Sequence, residues 1–322
     1  MKDNNKRVSS YDIMKFFGIV AVIVGHMTGY LREFIFSFHM PLFFILAGYF
    51  YHEKGIADSF RKDIKHLVYP YLLTAMAIFS TYMLVSLLKD DVDLKYWFVA
   101  SCYGSGSVEH TSSFLANAPA IGAIWFLLAL FWCKNIFNVI AHYFKHWMAF
   151  SFMTSLLAIA IDRYLINLPW AILPGAGAVM FYAIGHFIYL KKGFLKINPF
   201  LATMFILIWI VSFLRYGLIG MVICSYPNFI INVIGAIGGT YVLFIVSDLI
   251  STTYTKMTKI VIWGGKNSLT FLCIHLYDLD VPIRSYFHIP TIVGIPLVIV
   301  VCFVGTYIMG KISLTRKIYN IK

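Results

Sequence analysis

Charge is what this sequence has least of. Only 12% of its 322 residues are Asp, Glu, Lys or Arg, about half the roughly 25% of a typical soluble domain. Acidic residues are scarcer than basic ones, 14 against 26. So few charges exclude an ordinary water-soluble globule. The five cysteines (Cys102, Cys133, Cys224, Cys273, Cys302) are scattered, with no CxxC pair. That spacing offers neither a disulfide framework nor a zinc pattern, and no metal is expected. There is no internal repeat, no low-complexity tract and no room for a soluble second domain, so residues 1–322 read as one integral membrane domain. Lys2, Lys6 and Arg7 precede an apolar stretch in the manner of a signal peptide. The stretch is too long, however, and ends in His26-Met27-Thr28-Gly29-Tyr30 without a small-x-small cleavage site. It reads as a retained first helix.

What the chain has in abundance is apolar length. Hydrophobic residues make up 60% and aromatic residues 18%, gathered in runs of about 18–22, enough to cross roughly 30 Å of hydrocarbon at about 1.5 Å per residue. Candidate spans are 13–31, 34–51, 67–88, 121–141, 147–166, 170–189, 199–219, 229–249, 260–277 and 291–311. The fold class is therefore all-α, a polytopic helical bundle of about ten transmembrane helices. The formal charge of +12 could suggest nucleic acid, but the basic residues sit in short segments between apolar runs, which argues against it. Of the 26 lysines and arginines, only Arg32, Lys89, Lys95, Arg163, Arg215 and Arg284 fall on one side of these spans. The bias puts both termini in the cytoplasm of a multi-pass plasma or inner membrane protein. The longest loop, 89–120, then lies outside with Asp90, Asp91, Asp93 and Glu109.

Charged groups inside membrane segments are costly and mark function. Asp12, Lys15 and His26 lie on the first span. Eleven positions separate Lys15 from His26, which at about 100° per residue falls about 20° from three full turns. The two share one helix face, about 16 Å apart along the axis, and Asp12 is placed to pair with Lys15 at i, i+3. A cation at the cytoplasmic mouth could hold an anionic cofactor, and imidazole is the side chain best suited to proton transfer near neutral pH. A long donor with phosphates at one end and a reactive group at the other, such as acyl-coenzyme A, matches the spacing. Spacing alone leaves a second reading open, in which Lys15 snorkels to the interface and His26 bonds a neighbouring helix. On the second span, His39 sits beside Pro41, whose missing N–H predicts a break that lines a cavity. Asp162 and Asp248, near span ends, are expected to be solvated.

The stretch Tyr11-Asp12-Ile13-Met14-Lys15 through Gly25-His26, followed by Ser37-Phe38-His39-Met40-Pro41-Leu42-Phe43-Phe44 and Gly48-Tyr49-Phe50, resembles the acyltransferase-3 family of integral membrane O-acyltransferases. It looks most like the fucose 4-O-acetylase-like branch. The family pattern of a basic residue, ten intervening positions and a histidine is met by Lys15 and His26, with lysine in place of the commoner arginine. Ile124-Trp125-Phe126-Leu127 resembles the family's aromatic segment on a middle helix. Gly264-Gly265-Lys266-Asn267-Ser268-Leu269 with Ile274-His275 resembles its segment near the C-terminus. The resemblance implies transfer of an acyl group, usually acetyl from cytoplasmic acetyl-CoA, to a hydroxyl of a cell-surface polysaccharide or lipid-linked glycan. By that analogy His26 is the central catalytic residue with Asp12 in support, and Lys15 holds cofactor phosphate. His39, Trp125, Asn267 and His275 become candidate substrate-binding residues, Asn267 alternatively a stitch between helices. Arg61, with Lys62 and Lys65 in the first cytoplasmic loop, could bind the nucleotide end of the donor or meet anionic lipid. The competing reading is a transporter or flippase for a lipid-linked or modified glycan, which fits the span count but lacks the internal repeats common in transporters. The oligomeric state, monomer or homo-oligomer, is open.

Overall fold

The computed structural model describes residues 2–87, 92–108, 118–164, 168–191, 193–194, 198–253, 255–280 and 288–322. Lys89, Asp90, Asp91 and Glu109 of the long loop, and Arg284, lie outside the described residues, as do the side chains of Asp278 and Asp280. Among the described residues the chain is helical, with two isolated bridges, Ser105 to Ala120 and Gly220 to Ser225.

The chain opens with α1 (Lys2–Met27), α2 (Arg32–Phe36) and α3 (His39–Tyr49), then α4 (Ile56–Asp63), which runs through a π-helical turn at Ile64–Val68 into α5 (Tyr69–Ser86). The middle comprises α6 (Leu94–Tyr103), α7 (Trp125–Tyr143), α8 (Trp147–Tyr164), α9 (Ile172–Gly177) and α10 (Val179–Leu190). The last third holds α11 (Pro199–Val211), α12 (Phe229–Ser251), α13 (Lys256–Lys266), α14 (Ser268–Asp280), α15 (Thr291–Lys311) and α16 (Ser313–Ile318).

Among the described residues, six helices are long and apolar enough to cross a membrane: Ser9–Met27, Ile56–Ser86, Gly122–Tyr143, Pro199–Tyr216, Phe229–Ser251 and Thr291–Lys311. A pair bent by 48°, Pro169–Gly177 with Val179–Leu190, makes a seventh. The other three windows read as spans are 34–51, 147–166 and 260–277. The first is broken at Ser37–Phe38, where Phe38 leaves helical geometry at φ −144°. Pro41 is not the cause of that break. It occupies the first turn of α3, where a missing N–H deprives no partner. The last window is divided at Asn267 between α13 and α14. The 147–166 window is α8, continuous over 18 residues.

These helices are apolar on the outside and small or polar within. α15 exposes Ile292, Val293, Val300, Val301, Val304 and Ile308 while burying Gly294, Val298, Cys302 and Thr306, one residue per turn. α8 turns Phe150, Met153, Leu156 and Leu157 outward and buries Ser155, whose hydroxyl donates to Ala176 O and accepts from the Met180 N–H at 2.9 Å. In water the exposed apolar rows would be a liability. In lipid they cost nothing, and helix association falls to close packing and buried hydrogen bonds. Glycine supplies the close packing. At the α3–α10 crossing a Cβ on Gly48 would lie 1.9 Å from Tyr182 O, and one on Gly185 as close to Ile45 O. At the α1–α13 crossing a Cβ on Gly265 would lie 1.7 Å from Asp12 O.

One expectation of solvation fails: Asp162 is buried. Asp248 is half-buried and accepts a hydrogen bond of 2.9 Å from the Ser10 hydroxyl. A charge near a span end need not reach water when neighbouring segments pack over it.

Candidate functional site

α1 is the rail of the site. Lys15 and His26 both line one cavity of about 980 Å³, at the upper end of the range for small-molecule sites. The cavity runs along α1 between α3, α7 and the α13–α14 junction. Its wall changes character along the way. The Lys15 end is cationic, lined by Lys15, Lys54, Lys62, Lys134 and Lys266 with Ser59 and Asp63. The middle is an apolar neck of Ile19, Val22, Met40, Phe43, Leu269 and Leu272. The far end gathers His26, His39, Arg32, Phe36, Ser107 and Trp125.

Lys15 is held from two sides. Its ammonium lies 3.1 Å from Asp12 Oδ1, on the preceding turn, and 5.2 Å from the centre of the Phe50 ring. Asp12 is buried and is not part of the cavity wall, so it acts on the cavity through Lys15. Lys134, partway along α7, pairs with the buried Asp63 at the end of α4. Lys54, in the segment joining α3 to α4, has its pKa held below the usual lysine value. A hydrogen bond from Lys62 is the largest cause, followed by burial and the charges of Lys62 and Lys134, with Asp63 acting the other way. Crowded cations of this kind favour a polyanionic ligand.

At the other end the His26 side chain is open to the cavity. Phe36 organises its surroundings, with ring centres 5.6 Å from His26 and 4.5 Å from His39. His39 is buried, and its Nδ1 lies 2.9 Å from Ile35 O. A carbonyl only accepts, so Nδ1 carries the hydrogen and Nε2 keeps a lone pair. The ring of His275 is 6.1 Å from that of His26. Its Nδ1 meets Phe271 O at 3.3 Å, while its buried Nε2 has no hydrogen-bond partner. His275 thus stands behind His26 and outside the wall. The segment 218–223, pinned by the Ile219 N–H to Phe36 O at 3.4 Å and by the Gly220–Ser225 bridge, lies across this end.

The structure thus brings Lys15, His26, His39 and Trp125 to one cavity. It places Asp12 and His275 directly behind that wall. Arg61 is exposed and outside the wall, and its neighbour Lys62 faces inward instead. Asn267 is buried, and its amide is spent on backbone: it donates to Trp263 O at 2.9 Å and Lys322 O at 3.3 Å, and accepts from the Lys322 N–H at 2.9 Å. These bonds tie the α13–α14 junction to the C-terminal residue. Lys54, Lys134 and Lys266 were not among the residues the sequence singled out, yet they line the same cavity. A lysine inside an apolar helical run was the available signal.

A family model described as an acyltransferase domain matches residues 8–311. No curated protein and no solved structure matches the chain.

Proposed function

Because the chain belongs to the acyltransferase-3 family, we propose that it is an acetyl-CoA-dependent O-acetyltransferase that modifies a hydroxyl of a surface polysaccharide or lipid-linked glycan, as in the fucose 4-O-acetylase-like branch. In this reading ten helical segments cross the plasma or inner membrane, both termini are cytoplasmic, and the Lys15 end of the cavity opens to the cytoplasm. The observation that carries the proposal is one cavity joining a cluster of lysines to an imidazole along a single helix.

The division of the wall suits an acyl-CoA. Its phosphates are anionic and match Lys54, Lys62, Lys134, Lys266 and Lys15. Its thin arm is sparingly polar and matches the neck. Its thioester would then lie near His26. There His26 takes the proton of the acceptor hydroxyl as the hydroxyl oxygen attacks the thioester carbonyl. The new C–O bond forms, the C–S bond breaks, and the proton passes from the imidazolium to the departing thiolate, so His26 ends neutral. Asp12 positions Lys15, and His275 backs the His26 ring. The cavity runs from Lys15, midway along α1, to Met27 at its C-terminal end, so acceptor and donor can meet inside it.

The test is transfer of labelled acetyl from acetyl-CoA in nanodiscs holding the full-length protein, with cells lacking the protein compared by mass spectrometry of surface glycans. Loss of one acetyl mass per modified sugar is the expected difference. Glycans of unchanged mass, together with transport of glycan by the protein in liposomes without acetyl-CoA, would replace the enzyme with a transporter.

A further inference from the structure

The lysines of the cavity all lie toward its Lys15 end. One cation stands apart from them. Arg32, the first residue of α2, lines the same cavity at the His26 end. Its guanidinium carbon is 5.4 Å from the centre of the Phe36 ring, and Phe36 is also the ring that meets His26 at 5.6 Å. The guanidinium and the imidazole are therefore no further apart than the sum of those two distances.

Two features make Arg32 unlike an incidental surface charge. Asp63 is the only carboxylate in the cavity wall among the described residues, and it belongs to Lys134 at the opposite end. No carboxylate of the wall neutralises Arg32. Arg32 is exposed where it meets the cavity, so an anion can reach its guanidinium. The second feature is side. By the loop-charge bias that orients the chain, Arg32 falls where basic residues are few, against the trend that keeps Lys and Arg in the cytoplasm. The guanidinium lies within cation–π range of Phe36, and its planar fork of N–H groups suits a two-point contact with carboxylate or phosphate.

We propose that Arg32 is a specificity determinant that binds an anionic group on the acceptor, so that the glycan modified here carries a carboxylate or a phosphate close to the acetylated hydroxyl. This deepens the acetyltransferase reading and rests on it for the identity of the ligand as an acceptor. The anion site itself is a property of Arg32 and can be tested without turnover. A neutral hydroxyl-bearing sugar would leave the guanidinium unmet, and a site built around a polar contact discriminates strongly against an analogue lacking it.

The full-length protein in phosphatidylcholine nanodiscs, free of anionic lipid, is assayed in two ways. In the first, its melting temperature is followed with glucuronate against glucose and with glucose 6-phosphate against glucose. Stabilisation by an anionic member, absent in Arg32→Gln and kept in Arg32→Lys, is the expected result, and the pair that responds tells carboxylate from phosphate. In the second, acetyl transfer from labelled acetyl-CoA is measured on a glucuronate-containing oligosaccharide and its carboxyl-reduced form, and on a phosphorylated oligosaccharide and its dephosphorylated form. Wild type should favour one anionic member at least tenfold in kcat/KM. Arg32→Gln should erase that preference while leaving KM for acetyl-CoA unchanged. Equal stabilisation by the charged and neutral sugars, or an Arg32→Gln variant that responds like wild type, would overturn the proposal. Failure of acetyl-CoA turnover with the anion response intact would instead overturn only the acetyltransferase reading.

Discussion

Replacing Gly265 with alanine should damage the site through the backbone alone. The added methyl would stand 1.7 Å from Asp12 O, whereas ordinary contact begins near 3.4 Å. The obstacle is main chain, which cannot rotate aside, so α13 must withdraw from α1 by about 1.7 Å. That movement carries Lys266 and Ser268 away from the wall they form with Lys15 and opens the packing around Asp12. Overfilling a packed interface typically costs about 1–3 kcal/mol of stability. Misplacement of a positioning group by about 1 Å can cost roughly 100-fold in rate, or about 2.7 kcal/mol in barrier. Acetyl transfer in nanodiscs and the melting temperature of the detergent-solubilised protein read the two effects. Gly55→Ala is the control, since its Cβ would meet only Asp58 Oδ2 at 3.6 Å. A Gly265→Ala protein that melts and transfers acetyl like wild type would show that α13 does not build the site.

Further outcomes follow from other contacts. Lys134→Ala should destabilise the protein by about 3 kcal/mol or more, because it strands the buried Asp63 carboxylate, while Asp63→Asn should be milder, and melting curves of the two variants decide it. Asn267→Ala, which frees Lys322 and Trp263 of three hydrogen bonds, should lower stability by about 1–3 kcal/mol and leave KM for acetyl-CoA nearly unchanged. Lys54, whose pKa lies below the usual lysine value, is cationic at low pH and loses its charge as pH rises through that lowered pKa. Donor KM should therefore climb with pH below the range where an ordinary lysine titrates, and Lys54→Met should remove that part of the profile in initial-rate measurements.

How much of this was legible in the sequence depends on the scale of the signal. Long apolar runs and loop charges gave the membrane class, because a bilayer requires roughly 20 apolar residues per crossing. The shared wall of Lys15 and His26 followed from helix periodicity, since both sit on one uninterrupted helix. Breaks were harder. Phe38 and Asn267 interrupt apolar runs without a proline at the break, and Pro41, the visible breaker, falls where a helix begins. Contacts distant in sequence were invisible. Asp63 meets Lys134 across 71 positions, and Asn267 meets Lys322 across 55, so neither pairing leaves a local pattern. The choice of Lys62 over Arg61 for the wall turns on one step around α4, finer than a reading uncertain by two to four residues at each boundary can resolve.

In the proposed mechanism the lysines hold the donor while His26 acts on its reactive end. Wild type, Lys15→Ala and His26→Ala in nanodiscs should be compared for CoA binding by calorimetry and for single-turnover acetyl transfer. His26→Ala should bind CoA within about twofold of wild type and lose transfer by roughly 10²–10⁴-fold, the span of a general base, while Lys15→Ala should lose binding first. Transfer at the wild-type rate by His26→Ala, or loss of CoA binding in His26→Ala with Lys15→Ala unaffected, would contradict it.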